Sequence, residues 1–147
     1  QLVTTGKKSK IGKGLILKKQ TNYNFITTGI TAQIALDAAN KLKKKYNIDA
    51  GVIHFSTIKP LDKKLLKKII LKSKKIITVE ENVVDGGFGS SILEFSSNLK
   101  NSKNNIQLVS LKSEFSKKYG TQQEILQHNN LKDEYLYKKM YKSIIND

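Results

Sequence analysis

Residues 50–55, Ala50-Gly51-Val52-Ile53-His54-Phe55, form an apolar run of strand length with no apolar/polar alternation. A strand with one wet face alternates, so a run without alternation is read as a strand covered on both faces. The flanking sequence supplies the covering helices. Upstream, Ile34, Ala38, Leu42 and Tyr46 recur every four residues beside Ala35 and Ala39. Lys41, Lys43, Lys44 and Lys45 load the end of that segment, where cations suit the negative pole of a helix dipole. Downstream, Pro60 stops the extended segment, and Asp62 is placed to cap a helix carrying Leu65, Leu66, Ile69 and Ile70.

The remaining segments continue the alternation. Leu15-Ile16-Leu17 and Phe25-Ile26-Thr27-Thr28 read as short strands, and residues 75–79 as another, closed by Glu80-Glu81-Asn82. The stretch 85–91 opens a helix with Ile92, Phe95 and Leu99 inward, and 106–111 is the last strand. Thr121-Gln122-Gln123-Glu124 is a capping box, and residues 133–145 form the final helix. Strands alternating with helices imply right-handed crossovers. The first two strands are joined by too few residues for a parallel crossover, so the first is expected to run antiparallel to the rest. The predicted fold is α/β, a three-layer α/β/α domain with a mostly parallel five-stranded sheet. Residues 1–13 are expected to be a linker and 14–147 the domain, cut from a longer protein.

Composition removes several classes of function. The chain of 147 residues has no cysteine and two histidines, which excludes disulfides, thiolate nucleophiles and histidine-built metal clusters. No apolar run reaches the ~18 residues of a membrane span. A net charge of +15 would ordinarily suggest nucleic acid, yet all 27 basic residues are lysine. Base readout relies on the arginine fork, and here the lysines are spread along every segment without interleaved aromatics. Lysine and asparagine both have A-rich codons, so the charge is read as a compositional bias on a solvated surface, and nucleic acid is not an expected partner.

Parallel sheets bind ligands at the carboxyl ends of their strands. Three loops fall there, at residues 28–31, 57–62 and 80–91. The turn Gly86-Gly87-Phe88-Gly89-Ser90 enters a helix whose free amides could hold an anion, but it matches neither a dinucleotide fingerprint nor a P-loop. Asp85 places an acid beside it. The other reading is that the glycines allow close packing, against a strand or against a neighbouring domain or subunit. Gly86 and Gly87 are expected to serve such an interface. Glu80 and Glu81 could form an acid/base pair, but adjacent strand residues point to opposite faces. One of them is expected instead to accept hydrogen bonds from amides of the glycine-rich turn. His54 reads as a hydrogen-bonded core histidine and His128 as a surface residue. Ser90 and Ser91 lack the GxSxG context of a nucleophile elbow. No catalytic or metal-binding residue is assigned; the interface or anion-turn candidates are Gly86, Gly87, Gly89, Ser90, Glu80 and Glu81.

The ordered motifs resemble the C-terminal domain of the transketolase-like thiamine diphosphate enzymes. The resemblance rests on Thr28-Gly29, the Ala-rich helix, Ile58-Lys59-Pro60-Leu61-Asp62, Thr78-Val79-Glu80-Glu81-Asn82 and Gly86-Gly87-Phe88-Gly89-Ser90. Ile11-Gly12-Lys13-Gly14 and Phe115 followed by Gly120-Thr121-Gln122-Gln123-Glu124 are most similar to the 1-deoxy-D-xylulose 5-phosphate synthase family. The resemblance implies a parent transferase that joins pyruvate to glyceraldehyde 3-phosphate, with loss of CO2, for isoprenoid synthesis. It implies thiamine diphosphate and Mg2+ held by two earlier domains of a homodimer, and no cofactor bound by this segment. The domain would support the dimer and the arrangement of the other domains. The compartment implied is the cytoplasm of a bacterium, or a plastid-type organelle of a eukaryote. The same domain of a transketolase-like enzyme, or of a keto-acid dehydrogenase beta subunit, is the alternative; a free-standing basic anion-binding module is the third.

Overall fold

A computed structural model describes residues 10–102, 105–111 and 121–146. The elements run β1 (Gly14–Lys18), β2 (Tyr23–Thr27), α1 (Thr31–Tyr46), β3 (Gly51–Phe55), α2 (Lys63–Lys72), β4 (Lys75–Val83), α3 (Phe88–Ser97), β5 (Ile106–Leu111), α4 (Gln122–His128) and α5 (Asp133–Ile145). The five strands form one sheet in the order β1-β3-β2-β4-β5. β3, β2, β4 and β5 are parallel, and β1 is antiparallel to β3.

Every residue of β3 is buried, and its neighbours divide between two cores. Phe25, Val52 and Ile77 pack with α1, α4 and α5 on one face. Ile26, Ile53 and Ile76 pack with α2 and α3 on the other. The continuous apolar run at 50–55 therefore reflects the middle of a three-layer sandwich. α1 buries Ala35, Ala38, Ala39 and Leu42, and the three alanines let the helix lie close against the sheet. α5 runs alongside α1 in the same direction: Lys41 pairs with Asp133 at 2.7 Å, and Tyr46 stacks on Tyr141 with centroids 3.8 Å apart.

Two details lie beyond the sequence expectation. β1 is antiparallel, as expected, and its partner is β3 rather than the strand that follows it. The four-residue link 19–22 has to pass the start of β3 to reach β2, and Gly51 makes this possible. A Cβ there would lie 2.7 Å from the Lys19 carbonyl oxygen and 2.9 Å from Gln20 Cα, with Asn24 Oδ1 closer still. The fully buried Asn24 holds the link down: Thr21 N–H donates to its Oδ1 at 3.1 Å, and its Nδ2 donates to the Thr21 carbonyl and to Ser73 Oγ. The second detail is length. β4 continues through Glu80 to Val83, past an irregularity in its pairing with β5 between Val79 and Val83.

Helix starts follow the capping residues. Asp62 accepts the Leu65 N–H at 3.1 Å, and its second oxygen accepts the Gly14 N–H at 3.3 Å, tying β1 to α2. Thr121 and Glu124 exchange backbone hydrogen bonds as a capping box at α4. Residues 1–9 of the expected linker, and Phe115 and Gly120 of the sequence motif, lie outside the described residues. Residues 10–13 form a turn beside Pro60, whose peptide bond with Lys59 is cis.

Candidate functional site

The carboxyl edge of the sheet is where β2, β4 and two helix starts meet. Glu80, fully buried near the end of β4, directs both carboxylate oxygens at the first turn of α3. Phe88 N–H donates to Oε2 and Gly89 N–H to Oε1, each at 2.8 Å. A helix start leaves its first amides without intrahelical partners and carries partial positive charge, so a buried carboxylate there is stabilised by hydrogen bonds and by the dipole together. This is the place where an external anion would have to sit. The chain's own carboxylate fills it.

The glycines fit around that carboxylate. A Cβ on Gly87 would fall 2.5 Å from the Val83 carbonyl oxygen and 2.7 Å from Glu80 Oε2. On Gly89 it would fall 2.8 Å from Thr78 Oγ1 and 2.9 Å from Leu108 Cδ2. Gly86 differs: its φ is +68°, and nothing lies within 4 Å of its Cβ position. Within the chain itself the two glycines answer different needs. Gly87 makes room for Glu80 within its own chain, and Gly86 answers a left-handed backbone. Ser90 Oγ donates to the Val84 carbonyl and Ser91 Oγ to the Gly87 carbonyl at 3.1 Å, so both hydroxyls serve the turn.

Glu81 points the other way, as the strand pleat requires. Its Oε1 lies 3.2 Å from the Cβ position of Gly29, whose φ is +60°, in the turn between β2 and α1. Thr31 completes that turn: its hydroxyl proton is shared between the Thr28 and Val79 carbonyls, both at 2.8 Å. The adjacent glutamates thus attend two different helix starts and do not share a site. Gly29 and Thr31 were not singled out as partners of β4 from the sequence. A glycine directly after a strand was the available signal, but which carboxylate meets it depends on strand order.

His54 is buried on β3 with Nδ1 3.2 Å from Thr27 Oγ1, and burial lowers its pKa from the ordinary value. His128 is exposed at the end of α4. Among the described residues no cluster of three or more His, Asp or Glu could hold a metal ion, and no helix is long and apolar enough to cross a membrane.

The profile of the family described as transketolase, C-terminal domain, matches residues 12–134. The chain belongs to this family. As a transketolase C-terminal domain it is 35% identical over 130 residues to 1-deoxy-D-xylulose-5-phosphate synthase of Clostridium tetani, covering 88% of this chain and 19% of that protein. It is 44% identical over 86 residues to the synthase of the same name from Syntrophus aciditrophicus, covering 58% of this chain and 13% of that one. The domain therefore spans less than a fifth of the length of these relatives. Among solved structures, a split-gene transketolase described as an inactive beta4 tetramer superposes on 95% of this chain and 44% of its own, with a TM-score of 0.83 at 26% identity. Transketolase of Campylobacter jejuni shares the fold over 89% of this chain and 18% of its own, with a TM-score of 0.64 at 14% identity.

Proposed function

We propose that this domain is the C-terminal part of a thiamine diphosphate-dependent 1-deoxy-D-xylulose-5-phosphate synthase, and that it contributes structure rather than catalytic groups. The parent reaction joins pyruvate to glyceraldehyde 3-phosphate with loss of CO2, in the cytoplasm of a bacterium. The similarity to the Clostridium tetani synthase over 88% of this chain carries the reading. The occupied helix start supports the structural part of it. A diphosphate does not fit the residues at this edge, because Glu80 already satisfies the α3 amides and would repel a phosphate. The remaining domains of the parent, and a second copy in a homodimer, are the partners proposed. Ile30 and Val83, each 44% exposed, flank the Gly29–Glu81 contact and offer that edge apolar surface for docking.

The test is a domain exchange. The Clostridium tetani synthase truncated before this domain is compared with the same enzyme carrying residues 1–147 in its place. The chimera is expected to sediment as a dimer and release CO2 from pyruvate in the presence of glyceraldehyde 3-phosphate, while the truncated enzyme does neither. A chimera that dimerises no better than the truncated form overturns the reading. The similarity to the split-gene transketolase favours a second reading, the same role in a transketolase; rescue of a truncated transketolase but not of the synthase would establish it.

A further inference from the structure

At the opposite, amino-terminal edge of the sheet lies an open cavity of about 820 Å3. Its wall is built from the link between β1 and β2, the start of β3 and the last turns of α2. Lys18, Lys19, Lys68 and Lys72 converge on it from these separate segments. Lysine makes up 27 of the 147 residues of the chain but four of the nine in this wall, so the cluster exceeds the compositional bias. Lys68 and Lys72 are spaced i,i+4 on α2, a helix with no acidic residue, where like charges repel. Neither they nor Lys19 has a hydrogen-bond or ion-pair partner among the described residues. The only carboxylate in the wall, Asp49, is held by Lys43 at 2.8 Å, and Lys18 is turned to the neutral Asn40 Oδ1 at 3.1 Å.

We propose that this lysine-lined cavity binds a small anion carrying two or more phosphate charges. The cavity is of metabolite size. Lysine ammonium groups from two sides neutralise the phosphates. The link that forms the wall is fixed by Asn24 and by the close approach over Gly51, so the lysines are carried on a rigid base.

The test titrates inorganic pyrophosphate into the full 147-residue chain at about 150 mM salt, where unfocused surface attraction is largely screened. Saturable binding is expected, with amide shifts concentrated in residues 18–22 and 68–72. Lys68→Gln with Lys72→Gln should weaken binding at least about tenfold, as expected for lost charge-assisted contacts. Lys63→Gln with Lys67→Gln makes the same change of charge on the same helix, away from the cavity wall, and should leave binding within about twofold. Absence of saturation, or equal losses in the two lysine pairs, overturns the proposal.

Discussion

Glu80 shows how one side chain dictates the identity of its neighbours. Its two charge-assisted hydrogen bonds place the carboxylate where a Cβ on Gly87 would sit. Gly87→Ala must displace either that carboxylate or the Val83 carbonyl, and should cost about 2–3 kcal/mol in urea denaturation. Gly86→Asn should cost less than about 1 kcal/mol, because asparagine tolerates the left-handed region and the space is open. The chain already places Asn47, Asn101 and Asn130 at positive φ. Equal losses in the two variants would show that close packing around Glu80 is not the constraint. His54 gives a pH signature. Its pKa is lowered by burial, so the unfolded chain takes up the proton first as pH falls. The stability it contributes is complete above the ordinary value of 6.5 and is lost as pH drops from there toward the folded value. An imidazole titration by NMR should find its midpoint below 6.5, and a midpoint above that value would reverse the sign.

Among the elements, β1 depends most on partners far away in sequence. It is an edge strand of five residues, and Asp62 at the start of α2 holds its first amide. Asp62→Ala removes a helix cap and this tie together, and should cost about 1–2 kcal/mol. The loss has a spatial signature. Amide exchange in β1 should accelerate more than exchange in β3, whose residues are all buried; uniform acceleration would show that Asp62 acts only as a cap. The length of β4 follows similar logic. Read alone, Glu80 and Glu81 end a strand, because ionised side chains are poor candidates for a sheet interior. Folded, each glutamate has a helix start to face, and the strand continues between them to Val83.

Across the whole molecule, the two edges of the sheet have different characters. At the carboxyl edge, acidic side chains meet helix starts: Asp62 at α2 and Glu80 at α3 are buried caps, and Glu124 closes the capping box at α4. At the amino-terminal edge, lysines crowd the helix ends and line the cavity beside the link 19–22. A net charge of +15 with this arrangement attracts any polyanion without reading it. Double-stranded oligonucleotides should therefore bind weakly and without sequence preference, with the affinity lost between about 50 and 200 mM salt. Tight, sequence-selective binding at about 200 mM salt would revive a nucleic-acid role.

The sequence by itself determined the class of fold, the order of the elements and the capping residues. Each of these is a local matter of period, turn chemistry and side-chain reach over three or four residues. The run at 50–55, the four-residue recurrence in α1 and the Thr121–Glu124 box were all legible in this way. It also carried the family, through ordered motifs along most of the chain. Only the tertiary structure decided that β1 lies beyond β3, that Gly51 makes room for the link, and that Glu80 rather than Glu81 faces the glycine-rich turn. Those outcomes depend on which strands become neighbours, and contacts between residues far apart along the chain leave no periodic trace in it.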